Sequence, residues 1–571
     1  MSVNATLSAV ELRELIDSGK DELALLDVSE EGQFGVGHLL WAVNVPYSRL
    51  ELLVEGFVPR LSCHVVLMDQ NDGVAFLAAR RLSELGYTAV SVLSGGVAAW
   101  REAGHELFHG VYVASKAFGE WVENASGTPA IEAAELYRLL GEHEDVTVLD
   151  PRTLPEHSAR HIPEAVACPS AELIYRFYDL VPSPKTLVVV ACGGRTRGIV
   201  GAQTLIDAAV PNPVVALEDG NHGWLLAGYT LETGLHRQFG AVSETAAYRA
   251  EVTAKSLALR FDIPVIDAEQ AALWLRTDAM ANRTTFVLDV RSPEEYASGH
   301  FAGARSAPGG QLIQATDRWI GTLGARVVLV DDDGVRAVQT AHWLQKLGWE
   351  VHTLRYQAVL NESPVLCEPQ ATTTISADKA ARVEPQMSEG LRAAPEIKPL
   401  LALELIERGA LVISLDRSDD FLTARPEQAH WATRSRLAAI IPQAKHAQSL
   451  VLFSRDARVA QLAAVDLSEL LPGWIESGRI HVVEGGLEAW SAAGLPTVST
   501  DCDSLRDEDR IDFLFWAHDR RRGNKDAMRT YLDWEKQLLA QAQRDHPGFP
   551  LFRGGAALVA THSHSSGEDT Q

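Results

Sequence analysis

Four times along the chain a short apolar run ends on an aspartate: "LALLD" at Asp27, "VTVLD" at Asp150, "TFVLD" at Asp289 and "LVISLD" at Asp416. In the first three copies a histidine follows eleven positions later, at His38, His161 and His300; the fourth has Glu427 there. A second apolar run follows in each copy, "HVVLMD", "TLVVVAC", "RVVLVD" and "SLVLFS". It ends 42 positions after the aspartate in three copies, at Asp69, Cys192 and Asp331, and 38 positions after it in the fourth, at Ser454. Helix-patterned segments come next, and a strand and turn running to Trp100, Trp224 and Trp490 close three of the copies. The third has "TLRYQAVLNE" there, without the glycines or the tryptophan. A unit recurring at this period is a repeated domain. Apolar strands alternating with helices predict an α/β fold, each unit a mostly parallel sheet covered on both faces.

The repeat divides the chain into units at 1–113, 114–243, 244–367 and 391–500, with a linker at 368–390. Residues 501–555 leave the repeat. Their apolar residues at helical spacing, broken at Gly523-Asn524, predict a helical pair in which Trp516 and Trp534 pack. The segment 556–571 has the composition of a disordered tail. The formal net charge of −25 argues against a nucleic-acid partner. No apolar run is long enough to span a bilayer, and the N-terminus lacks the basic start and apolar core of a secretory signal. Five scattered cysteines, with no C-x-x-C, fit a reduced cytoplasmic protein and imply no metal site.

The stretch "DVRSPEEYASGHFAGARSAP" (Asp289–Pro308) and the closing glycine-glycine and Ala-Trp segments resemble the rhodanese homology domain. The chain is similar to a tandem of four such domains followed by a C-terminal helical segment. The resemblance implies a nucleophilic cysteine on the loop after a central strand. Only the second unit carries one, Cys192; Asp69, Asp331 and Ser454 stand at that place in the others. One domain is therefore expected to be catalytic and three inactive.

A loop reading "CGGRTR" between a strand and a helix suits an ionised thiol. Gly193 and Gly194 permit the dihedrals that turn amides inward, the helix start adds a positive end, and Arg195 and Arg197 add charge. Together they favour a thiolate and attract an anion. The expected substrate-binding set is Gly193, Gly194, Arg195, Thr196 and Arg197, with Arg152 from the Asp-x-Arg of the family; Thr196 has a helix cap as its alternative. Asn221 and His222, taken to replace the glycine pair of the other closing turns, are candidates for the pocket wall. The resemblance implies sulfane-sulfur transfer from an anionic donor, thiosulfate or a persulfide, to a thiol or cyanide through a Cys192 persulfide, with no cofactor.

Cys192 to Arg197 is C-x4-R, shorter than the C-x5-R of related phosphatases, which favours sulfur over phosphate chemistry. Arg195 stands where many single-domain rhodaneses have glycine. His161 recurs in copies without the cysteine and reads as structural, His157 as a surface residue. Cys168 is a minor candidate for a resolving thiol. Two other readings stay open: a non-catalytic scaffold, or a redox or persulfide sensor using the one remaining thiol. The partners expected are a small-molecule donor and a thiol acceptor, with a homodimer through the C-terminal helices as a further option.

Overall fold

The structure, a computed structural model, describes residues 5–277, 283–357, 394–500, 507–514, 520 and 523–552. The linker 368–390, Cys367, Cys502, Trp516 and the tail 556–571 lie outside the described residues.

Four all-parallel sheets follow one another along the chain. In the second unit the strands lie in the order Ala130–Ile131, Val214–Leu217, Leu187–Val190, Val146–Asp150 and Val166–Ala167. The first and fourth sheets repeat that five-strand order. The central strands are continuous apolar runs because helices bury both their faces; Val188, Val189 and Val190 are all fully buried. The third sheet has four strands, and a lone parallel bridge, Val265 to Thr353, stands at its missing edge. In each of the second and third units a capping box starts the short helix after the aspartate strand, Thr153 with Glu156 and Ser292 with Glu295.

The cores are not shared evenly. The first and fourth units keep cores of their own. The second and third share one, which also takes in the helix Val113–Ser126 between units one and two and part of the C-terminal helix Lys525–Asp545. Units one and four meet instead across a charged seam. There Arg434 reaches Glu51 at 2.6 Å and Asp466 at 2.7 Å, and Arg81 meets Asp466 at 2.7 Å.

Of the expected helical pair, the second helix is present, and most of the first, with Trp516, lies outside the described residues. Among the described residues of the extension, one long helix is present, preceded by the short 3-10 turn Asp507–Asp509. Gly523-Asn524 is the start signal of that helix: the Asn524 side chain accepts from the amides of Asp526 and Ala527 at 3.0 and 3.1 Å. Its buried residues, among them Tyr531, Leu532, Leu538 and Ala542, are covered within the chain, and Trp534 packs on Gly110. No helix among the described residues is long and apolar enough to cross a membrane.

Candidate active site

The strand Leu187–Val190 runs out through Ala191 to Cys192, and the helix Thr196–Asp207 begins four residues later. The backbone between them curls round the sulfur. The amides of Gly194 and Gly198 point at Sγ, and the thiol donates to the Arg195 carbonyl at 3.6 Å. The other units show what such a loop holds. The Asp69 carboxyl accepts from the amides of Asn71 and Ala75 at 2.9 and 3.0 Å, and that of Asp331 from Gly334 and Ala337 at 3.0 and 2.8 Å. Ser454 Oγ accepts from Asp456 at 3.2 Å. The amide ring is thus a property of the repeat, and an oxygen fills it wherever the sulfur is missing.

The closing turn clamps the loop by its backbone. The amides of Asn221 and His222 donate to the carbonyls of Cys192 and Gly193 at 2.8 and 3.2 Å. Gly220, at φ +51°, lies so close that a Cβ would overlap the Cys192 carbonyl oxygen. Gly96 and Gly486 make the same approach to the carbonyls of Asp69 and Ser454. This corrects the sequence register: Asp219-Gly220, not Asn221-His222, takes the place of the glycine pair. The side chains of Asn221 and His222 do flank the loop: Asn221 is buried and donates to the Arg160 carbonyl at 3.2 Å, and half-buried His222 faces Gly194.

The arginines divide. Arg195 turns away from the sulfur, and its guanidinium is consumed by Glu120 at 2.7 Å, Asp219 at 3.1 Å and Glu123. A substrate role for Arg195 is corrected to a structural one. Arg197 pairs through both its terminal nitrogens with Glu156 at 2.7 Å, and its charge draws the thiol toward ionisation. Thr196 does not cap the helix. Its hydroxyl donates to Glu535 at 2.6 Å from the C-terminal helix.

Arg152 is held by Asp150, 2.9 Å from Nε and 2.6 Å from Nη2, and by the Arg160 carbonyl. Its Nη1 is left facing the loop, 4.0 Å from where a Gly193 Cβ would stand. The third unit repeats the pattern with further carboxylates, among them Asp333 and Glu172 on Arg336. Arg291 and Arg336 occupy the places of Arg152 and Arg197, and the Asp332 carboxylate bridges them at 3.1 and 3.0 Å. Asp332 stands at the position of Gly193. The loop of the third unit therefore carries its own anion where the second unit has a glycine.

His157 is a further correction. It is fully buried, bonds Asp150 through Nδ1 at 2.8 Å and stacks on His161 at 3.9 Å. Phe34 on His38 and Tyr296 on His300 make the same stack in units without the cysteine, so the pair is structural. Cys168 is buried among apolar side chains, which pushes its thiol up, and the cation that acts on it among the described residues is Arg176.

Cys192 is 3% exposed, and burial pushes its thiol above the usual range, against the pull of Arg197 and the two amides. The expectation of a resting thiolate is thereby corrected. Part of the cause lies outside the rhodanese-like unit, because Glu535, itself 1% exposed, adds a negative charge beside the sulfur. The C-terminal helix lays Tyr531 and Glu535 against the loop, and Lys116 of the helix Val113–Ser126 reaches Tyr531 Oη at 2.5 Å and Glu535 at 3.7 Å. Gly193, Gly194 and His222 keep partial exposure and form the mouth. Sequence reading missed Lys116, Tyr531 and Glu535, because no local motif marks a side chain supplied from another unit.

A parallel α/β sheet ending in this loop, clamped by this turn, defines the class: the chain belongs to the rhodanese family, and the Rhodanese-like domain matches residues 8–103, 132–227 and 270–356. Over 95% of its length the chain is similar to the thiosulfate sulfurtransferase from Pseudomonas aeruginosa, covering 98% of that chain at 38% identity and a TM-score of 0.84. It is also similar to a 3-mercaptopyruvate sulfotransferase, SseA, from Escherichia coli, at 15% identity and a TM-score of 0.21 over 40% of this chain and 100% of that one. The rhodanese-like domain of Alr3790 from Anabaena is similar at 23% identity and a TM-score of 0.17, over 20% of this chain and 87% of that one. No curated protein matches the chain.

Proposed function

We propose that the protein is a sulfurtransferase that moves sulfane sulfur from an anionic donor, thiosulfate or a persulfide, to a thiol or cyanide through a Cys192 persulfide. With thiosulfate, the Cys192 thiol releases its proton to solvent and attacks the outer sulfur as the thiolate, the S–S bond of the donor breaks, and sulfite leaves with the bonding pair. The acceptor then attacks the outer sulfur of the persulfide, and Cys192 departs as thiolate. The amides of Gly194 and Gly198 and the Arg197 charge stabilise each sulfur anion in turn. Arg152 Nη1 supplies the anchor for the anionic end of the donor. The observation that carries the reading is Asp332: an anion held between the arginines equivalent to Arg152 and Arg197 is the resident counterpart of the donor in the second unit.

The test is intact mass after treatment with thiosulfate. One sulfur is expected on the wild-type chain, lost on adding cyanide, and none on Cys192→Ser. A chain that gains no sulfur from thiosulfate or from glutathione persulfide overturns the reading and leaves a binding module. Arg152→Met should load at least tenfold more slowly if Nη1 anchors the anion.

A further inference from the structure

We propose that Glu535 of the C-terminal helix takes the proton from an acceptor thiol in the second half of the reaction, so that the pocket selects acceptors bearing an S–H over cyanide. The inference rests on the persulfide reading above and names its acceptor class.

Glu535 uses one carboxylate oxygen, Oε1, for the Thr196 hydroxyl. Its other oxygen, Oε2, is buried and has no hydrogen-bond partner among the described residues. It lies 3.2 Å from the place a Gly194 Cβ would take. His222 Nδ1, also without a partner among the described residues, lies 3.7 Å from the same point. A carboxylate oxygen and an imidazole nitrogen therefore converge on the glycine gap at the mouth of the loop. Burial and the neighbouring arginine Arg520 bring His222 down to about 4, so its ring is neutral at neutral pH. An unpaired buried acceptor is costly unless a ligand supplies a donor. Thiosulfate has no hydrogen to give, and cyanide attacks as the ion that HCN forms by losing its proton in solution, whereas a thiol that enters protonated carries its hydrogen into the pocket on the atom that must become nucleophilic. The groups facing Glu535 are Lys116 and Glu120 from the inter-unit helix, Arg195, Thr196 and Cys192 from the loop, His222 from the closing turn, and Arg520 and Tyr531 from its own segment. Lys116 leads the charges that hold Glu535 as a carboxylate.

The step balances without a co-reactant. The acceptor R–S–H gives its proton to Glu535, and the resulting R–S⁻ attacks the outer sulfur of the Cys192 persulfide. A new S–S bond forms on the acceptor, the Cys192–sulfur bond breaks, and its electron pair stays on Cys192.

The experiment measures kcat/KM for glutathione and for cyanide separately, using full-length protein loaded with thiosulfate. Glu535→Gln should lower the glutathione value at least tenfold more than the cyanide value. Equal losses in the two arms, or no loss in either, overturn the proposal. Lys116→Met provides a second readout. Removing that positive charge should raise the Glu535 pKa and move the acid limb of the glutathione profile to higher pH, leaving the cyanide limb in place. An unmoved glutathione limb also overturns it. Wild-type protein that never acquires sulfur on Cys192 sinks the functional reading itself, a result distinct from a loaded enzyme whose two arms respond alike.

Discussion

Asp27 and Asp150 occupy the same strand end in two copies of one unit, yet their chemistry is opposite. Arg152 and His157 hold the Asp150 carboxyl below the usual range despite complete burial. Asp27 has Ser29 where Asp150 has Arg152, and burial pushes it up to about 7. A carboxyl whose folded pKa exceeds its unfolded value binds more protons when folded, so stability falls as pH climbs from about 4 towards 7. The slope contributed by one such group approaches ~1.4 kcal/mol per pH unit at its steepest. Glu30, in the same unit, is also pushed up to about 7. Urea melts of unit one across that window should show Asp27→Asn roughly halving the slope that the two acids share. Arg195 makes the complementary case. Arg195→Met should cost about 3 kcal/mol in denaturant melts, because it leaves buried Glu120 without its counter-charge. The persulfide loading of the folded fraction should survive, because that guanidinium faces away from the sulfur. None of this separates Arg195 from Arg197 in the sequence: two arginines in one loop read alike, and only the position of Glu120, 75 residues away, parts them.

At the scale of elements, the loop after the central strand is made by contacts that recur wherever the closing turn carries its glycine. Gly220→Ala adds a Cβ at a left-handed φ and against the Cys192 carbonyl, so both strain and overlap act. We expect a loss of about 2 kcal/mol or more and a collapse of persulfide loading, read by calorimetry and intact mass. Gly96→Ala meets the same obstacle beside Asp69. It should cost a similar amount of unit-one stability and leave loading intact, since no sulfur sits in that ring. The strands, the loop and the tryptophan that ends three of the turns were all legible, because each is specified by residues adjacent in sequence. The glycine register of the second turn was not. Asp219 adopts the left-handed conformation that glycine holds in the first and fourth units, and a pattern keyed on glycine slides two residues along.

For the whole molecule, the units are joined by two kinds of seam. Units two and three share an apolar core and should unfold together. Units one and four meet at Arg434, Arg81, Glu51 and Asp466, an interface whose stability depends on buried charges remaining paired. Arg434→Met leaves Asp466 and Glu51 short of a partner and should destabilise the unit-one and unit-four seam by about 3–5 kcal/mol. In calorimetry a lower-temperature transition should split from the main one while persulfide loading persists. The C-terminal helix adds a third connection, since it enters the shared core and also walls the Cys192 pocket.

The sequence alone determined the repeat, the parallel α/β architecture, and the single cysteine standing where its three counterparts carry oxygen. These follow from apolar periodicity and spacing, which act over a few tens of residues. Only the tertiary structure decided that Arg195 is a structural ion-pair member, that His157 is buried against Asp150 and His161, and that the thiol is raised at rest. The reason is long-range placement: a buried group's charge state depends on which distant side chains share its low-dielectric surroundings. Glu535 reaches Thr196 across 339 positions of chain, a distance no local pattern spans.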